Sequence, residues 1–197
     1  MRAVHPIEAE SYAILRARVD TGGLPPLTRA VVERVVHASA DLGYVTDLVT
    51  DEAALAGAVE ALRAGAPVVA DVEMVAAGVT GREVVCRVRD PRAAALARET
   101  GLTRSAAAVR LALEEVGPGA VWVVGCAPTA LAELVARAAE ARPALVVGLP
   151  VGFVGAAESK QALRAAGPPA VSNVSEKGGS AVAAAALNAL LYEGVPA

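Results

Sequence analysis

The sequence contains two histidines, and one of them stands in a pattern that could support proton transfer. Glu33, His37 and Asp41 follow one another at intervals of four residues, so a continuous helix would place them on one face. Histidine exchanges protons near neutral pH, and a neighbouring carboxylate favours its charged form. The pattern is compatible with a general acid at His37. A solvated charged face with an incidental histidine is the competing interpretation, and spacing alone favours it.

Glycine-rich segments follow several apolar runs, at the positions where α/β proteins bind ligands. Glycine lets the backbone approach a ligand closely, and helix starts offer unpaired N–H donors. The segments are residues 78–81, 125–129, 149–160 and 175–180. Any one of them is more often an ordinary turn, but several meeting at one sheet edge would suit a large ligand with carboxylate groups. None is a Walker-type phosphate loop or a complete G-x-G-x-x-G motif, so a nucleotide is not indicated.

Short β-branched runs alternate with alanine-rich helical segments over most of the chain. The runs lie at residues 68–70, 84–88, 121–124, 145–148 and 170–172, and the later helices at 73–77, 104–115, 129–141, 157–166 and 180–191. Continuous apolar strands alternating with helices are typical of a parallel sheet covered on both faces. We therefore expect a three-layer α/β/α fold with a mostly parallel, five-stranded, flavodoxin-like sheet, in one domain over residues 1–197.

Three further helices are predicted ahead of the first strand. They cover residues 7–19, a segment starting near 28, and residues 51–64. Thr28 is a suitable N-cap for the second of these helices, and Gly65 a suitable end for the third. Thr129 is expected to cap a later helix in the same way.

Composition limits the classes of partner. The chain has 197 residues, 55% of them hydrophobic, with a formal net charge of −3 and no lysine or arginine block that would suit nucleic acid. The most apolar stretch, residues 143–157, is interrupted by glycine and proline, so no membrane span is expected. Cys86 and Cys126 lack metal-ligand spacing. We expect a cytoplasmic protein that binds no metal.

Five segments together resemble the precorrin-8X methylmutase family. In chain order they are VHASAD at 36–41, RSAA at 104–107, APTAL at 127–131, GLPVGFVGAAESK at 148–160 and GGS at 178–180. The resemblance extends from His5 to Leu190, nearly the whole chain. One departure is Cys126, where the family usually has asparagine, so a weakly polar thiol replaces a side-chain amide.

The resemblance implies an isomerase of cobalamin biosynthesis. The reaction would move a methyl group from C11 to C12 of precorrin-8X, or of cobalt-precorrin-8, to give hydrogenobyrinate or cobyrinate. It implies that His37 donates a proton to the ring, that no cofactor or external methyl donor is needed, and that the enzyme is a homodimer with sites at the subunit interface. No residue indicates whether the natural substrate carries cobalt.

The resemblance also implies a set of substrate-binding residues. They are Ser11, Arg16, Arg104, Ser105, Pro128, Thr129, Gly152, Gly155, Glu158, Lys160, Gly178 and Gly179. Arg104 could clamp a ring carboxylate or form a surface ion pair, and Lys160 could simply pair with Glu158. Two other functions remain open: a non-catalytic tetrapyrrole carrier, and a flavin- or nucleotide-binding module, which the 3% aromatic content disfavours.

Overall fold

Six β-strands form one sheet in the computed structural model, which describes residues 5–194. They are β1 (Leu48–Val49), β2 (Val68–Ala70), β3 (Val84–Cys86), β4 (Val121–Val124), β5 (Leu145–Gly148) and β6 (Ala170–Asn173). The strand order is β1-β6-β5-β4-β2-β3. Strands β2 to β6 are parallel to one another, whereas β1 is antiparallel to β6. The expectation of a mostly parallel sheet is confirmed.

The expected number of five strands is wrong. The additional strand, β1, has only two residues, Leu48 and Val49, so it gives no recognisable hydrophobic pattern in the sequence. It is defined by pairing, because Leu48 lies opposite Asn173 and Val49 opposite Ser172. The second predicted run, residues 84–88, also ends earlier than expected, because β3 ends at Cys86.

Helices cover both faces of the sheet. They are α1 (Pro6–Arg18), α2 (Pro26–Ser39), α3 (Tyr44–Asp47), α4 (Glu52–Arg63), α5 (Glu73–Gly78), α6 (Pro91–Thr100), α7 (Arg104–Val116), α8 (Pro128–Ala136), α9 (Ala138–Ala141), α10 (Ala156–Ala166) and α11 (Ser180–Gly194). Helices α2, α4, α5 and α11 form one layer, and α7, α8 and α10 form the other. The three-layer arrangement agrees with the sequence. The single domain over residues 1–197 stays a prediction, since residues 1–4 and 195–197 lie outside the described part.

The central strand β4 shows why the apolar runs become strands. All four of its residues are buried, and successive side chains point to opposite faces of the sheet. Val121 and Val123 join the core beneath α11, while Trp122 and Val124 join the core beneath α7 and α8. Because both faces are covered, every position of such a strand must be apolar. No helix within residues 5–194 is long and apolar enough to cross a bilayer.

Two expected helix caps are wrong. Helix α2 begins at Pro26, two residues before Thr28, and Thr28 donates hydrogen bonds to Glu52 instead of capping the helix. Helix α8 begins at Pro128, and the Thr129 hydroxyl contacts that of Thr103 at 2.7 Å. In both helices proline occupies the first turn, where its missing N–H has no intrahelical partner to lose.

Helix α6 is absent from the elements expected from the sequence. Asp90 followed by Pro91 indicates a turn. In the structure the same residues start a helix, because the Asp90 carboxylate accepts a hydrogen bond from the N–H of Arg92. Helix α6 packs against α7 at the β3 edge of the sheet, so it lengthens the connection between β3 and β4.

The strand order reverses between β2 and β4. From β2 the chain passes to β3 on one side, and it then builds β4, β5 and β6 on the other side. Open parallel sheets bind ligands beyond the carboxyl ends of their strands, near such a reversal. The fold therefore brings the segments that follow β2, β4, β5 and β6 to one edge.

Candidate active site

His37 lies in the last turn of α2 and is held by helix α1. Its Nδ1 atom is 2.8 Å from the hydroxyl of Ser11. The Tyr12 ring stacks on the imidazole with ring centroids 5.1 Å apart and planes 13° from parallel. His37 is half-buried. Two neighbouring residues of α1 thus fix both a ring nitrogen and the ring plane.

The carboxylate partners expected for His37 are elsewhere. Glu33 is 3% exposed, and it accepts hydrogen bonds from Arg16, Arg29 and Thr21. Burial alone would raise the pKa of Glu33, but these hydrogen bonds, with that from Arg16 the largest, lower it to about 2. Asp41 lies beyond the end of α2 and forms an ion pair with Lys177 at 2.7 Å. The expected carboxylate–histidine pair is therefore wrong.

Asp71 shapes the turn that follows β4. Its buried carboxylate accepts hydrogen bonds from the N–H groups of Gly125, Cys126 and Ala127, at 2.8 to 3.1 Å. Burial raises the pKa of Asp71, and these three hydrogen bonds oppose the rise. The N–H groups of this turn are thus occupied by the protein itself. The sequence predicted that backbone N–H groups of this segment could bind a ligand carboxylate, but those of residues 125–127 already donate to Asp71.

Two glycine-rich loops interlock at the same edge: the β5 loop (residues 149–155) and the β6 loop (residues 174–179). The N–H of Gly179 donates to the carbonyl of Leu149 at 2.9 Å, and that of Gly152 donates to Glu176 at 3.2 Å. A Cβ atom at Gly178 would collide with the carbonyl oxygens of the β5 loop. Gly178 and Gly179 therefore allow the β5 loop and the β6 loop to pack closely.

Lys160 of α10 holds the β6 loop through hydrogen bonds from its buried side chain. Its side chain is fully buried, and Nζ donates to the side-chain oxygen of Asn173 and to the carbonyls of Ser175 and Lys177, at 2.5 to 2.7 Å. Burial lowers the pKa of Lys160 to about 8. The amine does not pair with Glu158, which is exposed. Lys160 therefore holds the loop rather than facing the edge, contrary to its expected role as a substrate contact.

Asp47 completes this network on the other side of Asn173. Its carboxylate accepts hydrogen bonds from the Asn173 amide, the Ser175 hydroxyl and the backbone of Val174 and Ser175. Burial would raise the pKa of Asp47, but the hydrogen bonds from Ser175 and Asn173 outweigh it and lower the pKa. Both Asp47 and Asp71 were missed as organisers of the site. For Asp71 the available signal was its position directly after the apolar run at residues 68–70, whereas Asp47 stands beside Thr46 and gave no such signal.

The exposed surface of this edge is partly apolar. Phe153 and Val154 of the β5 loop are 93% and 88% exposed, and Val151 and Val174 are also exposed. Arg104, the first residue of α7, projects into solvent and has no ion-pair partner within residues 5–194. An apolar platform beside an unpaired cation suits a flat ring that carries carboxylates.

The remaining predicted residues lie around the same edge or anchor α1. Pro128 and Gly155 are close, since a Cβ atom at Gly155 would lie 3.4 Å from that of Pro128. Thr129 is exposed, and Ser105 is partly buried in the first turn of α7. The Arg16 guanidinium forms an ion pair with Glu33 and so links α1 to α2. No group of three or more metal-ligating side chains occurs among the described residues.

A family model described as precorrin-8X methylmutase matches residues 6–193. The chain belongs to the precorrin-8X methylmutase family. A precorrin-8X methylmutase of a Sinorhizobium species is 43% identical over 205 residues, covering 99% of this chain and 97% of the relative. A cobalt-precorrin-8 methylmutase of Salmonella typhimurium is 40% identical, covering 94% and 93%. A solved precorrin-8X methylmutase from Thermus thermophilus superposes with a TM-score of 0.87 at 39% identity, covering 96% and 98%.

This methylmutase family member has an exposed thiol, Cys126, at the turn that Asp71 organises. Burial and the Asp71 charge raise the pKa of Cys126, so the thiol is neutral near neutral pH. A thiol offers only a weak hydrogen-bond donor at this position. The backbone N–H of Cys126 keeps its bond to Asp71, so the substitution does not remove the turn.

Proposed function

We propose that this methylmutase converts precorrin-8X or cobalt-precorrin-8 to hydrogenobyrinate or cobyrinate by moving a methyl group from C11 to C12, with His37 as the proton donor. The observation that carries the proposal is the fixed imidazole: His37 is held by Ser11 and Tyr12 on a chain whose relatives are methylmutases. The ion pair between Lys177 and Asp41 supports it, because it ties the end of α2 to the β6 loop.

The proposed chemistry needs one proton and conserves every atom of the substrate. A proton from the His37 imidazolium adds to the conjugated ring, which draws electron density away from C11 and favours methyl migration to C12. The bond from C11 to the methyl carbon breaks as the bond from C12 forms. Loss of a proton back to the neutral imidazole then restores the acid. General acid–base catalysis of this kind contributes about 10²–10⁴-fold in rate.

The decisive experiment is incubation of the purified protein with precorrin-8X and, separately, with cobalt-precorrin-8, followed by visible absorbance. We expect the spectrum of hydrogenobyrinate or cobyrinate to develop in at least one of the two reactions. Tight binding without conversion of either compound would instead identify a non-catalytic carrier. If the protein neither binds nor converts either compound, the proposed function as a whole is contradicted.

Arg104 is proposed to bind a carboxylate of the ring. Loss of one charge-assisted hydrogen bond costs about 1.5–3 kcal/mol, so Arg104→Ala is expected to weaken product binding by about 10–100-fold. Titration with hydrogenobyrinate measures the change. Arg63→Ala is the matched control, because Arg63 ends α4 just before β2 and so lies at the opposite edge of the sheet. Equal product affinity for Arg104→Ala and wild type would exclude the contact.

We also propose that two copies form a homodimer that completes the site. The exposed apolar side chains of Phe153 and Val154 support this, because burial of such side chains stabilises association. Sedimentation equilibrium at the enzyme concentration of the assay is expected to give twice the chain mass of 19.7 kDa. A monomer that turns over substrate at that concentration would contradict the dimer and leave the reaction intact.

A further inference from the structure

We infer that Ser11 and Tyr12 are positioning residues for His37, which make Nε2 the nitrogen that exchanges the proton. This inference rests on the proposed function. The Ser11 hydroxyl lies 2.8 Å from Nδ1, so that nitrogen already has a partner within the protein. Tyr12 stacks on the ring and restricts rotation of the imidazole plane. This contact assigns Ser11 a positioning role toward the histidine.

Helix α1 is anchored on both sides of this pair. Three residues before Ser11, Glu8 forms an ion pair with Arg34 at 2.8 Å, and both side chains are largely buried. Four residues after Tyr12, Arg16 forms an ion pair with Glu33 at 2.7 Å. Because both partners belong to α2, the helix that carries His37, the geometry of Ser11, Tyr12 and the imidazole is set within one helix pair.

The Tyr12 ring is itself confined. The guanidinium groups of Arg16 and Arg34 lie 5.5 and 5.9 Å from its centroid. The Arg34 guanidinium also lies 4.7 Å from the centroid of the Tyr192 ring of α11, the helix that packs beside α2 in the same layer. Burial raises the pKa of the Tyr12 phenol, so the ring stays neutral beside the imidazole. Tyr12 therefore offers His37 a fixed, uncharged face.

The Ser11 contact is compatible with both protonation states of His37. In the imidazolium, Nδ1–H donates to the Ser11 oxygen and Nε2–H points away from it. When the Nε2 proton passes to the substrate, the electron pair of that N–H bond stays on Nε2, and Nδ1–H keeps its bond to Ser11. The proton returns to the same Nε2 after the methyl shift. A hydroxyl at position 11 thus keeps one nitrogen engaged throughout the cycle.

Two matched pairs of variants test the inference. Ser11→Ala removes the hydroxyl and Ser11→Thr keeps one; Tyr12→Leu removes the aromatic face and Tyr12→Phe keeps it. We expect Ser11→Ala and Tyr12→Leu to lower kcat by about 10–100-fold with little change in KM or product affinity, since misplacement of a catalytic group acts on the chemical step. The threonine and phenylalanine variants are expected to retain most of the wild-type kcat.

Nitrogen-15 NMR of His37 gives a readout that needs no turnover. We expect the Nδ1 resonance of the imidazolium to show a hydrogen bond to the hydroxyl in wild type and Ser11→Thr, and to lose it in Ser11→Ala. Weaker product binding by Ser11→Ala at unchanged kcat would overturn the inference and make Ser11 a substrate contact. Equal kcat in all four variants would also overturn it. A wild-type protein that converts neither substrate would instead overturn the proposed function. The nitrogen-15 NMR measurement would still decide whether Ser11 contacts His37.

Discussion

His37→Ala is expected to lower kcat by about 10²–10⁴-fold, the contribution of a general acid, while the affinity for hydrogenobyrinate changes little. In the proposed mechanism the imidazole supplies the proton that starts the methyl shift, whereas the apolar β5 loop and Arg104 bind the ring. Single-turnover absorbance with saturating precorrin-8X measures the rate, and titration with the product measures the affinity. The variant should therefore bind the ring and leave it unconverted.

The other histidine provides a matched control. His5 is exposed, and its Nδ1 accepts a hydrogen bond from the N–H of Ile7 at the start of α1. His5→Asn keeps a good N-cap residue at that position, so we expect wild-type turnover. Normal conversion by His37→Ala would exclude the proposed acid, whatever the family. Loss of both turnover and product binding would mean that His37 holds the substrate.

The sheet could be predicted from sequence because its signal is local. A parallel strand covered on both faces must be apolar at every position, as in β4 and β5, and such runs are visible one at a time. The loops that end these strands then have to meet at one edge, which is why the sequence predicts that the glycine-rich segments 149–160 and 175–180 lie together. Strand β1 has no such signal, since its two residues become a strand only by pairing with β6.

The partners of His37 could not be predicted, because they depend on how α1 crosses α2. Spacing placed Asp41 on the face of His37, but α2 ends at Ser39 and Ala40 adopts a left-handed conformation that turns the chain. Spacing also predicts that Glu33 lies one helical turn before His37. Its carboxylate instead accepts a hydrogen bond from Arg16 of α1. The identity of Ser11 as the contact therefore required the packing of the two helices.

Lys160→Met is expected to destabilise the folded protein by about 2–4 kcal/mol. The ammonium donates three hydrogen bonds, and each contributes about 1.5–3 kcal/mol because the donor is charged, partly offset by no longer burying a charge. Urea denaturation followed by circular dichroism measures the free energy of unfolding. Glu158→Ala, on the exposed side of the same helix, is the matched control and should change it by less than about 0.5 kcal/mol.

The same substitution distinguishes support of the loop from contact with the substrate. If Lys160 only holds the β6 loop, Lys160→Met weakens product binding because the carbonyls of Ser175 and Lys177 lose the ammonium and keep only their hydrogen bonds from the Asn173 amide. The unfolding free energy must then fall in the absence of any ligand. A variant with wild-type stability and weakened binding would show that the amine reaches the substrate. The buried position of Nζ and its three oxygen partners lead us to expect the loss of stability.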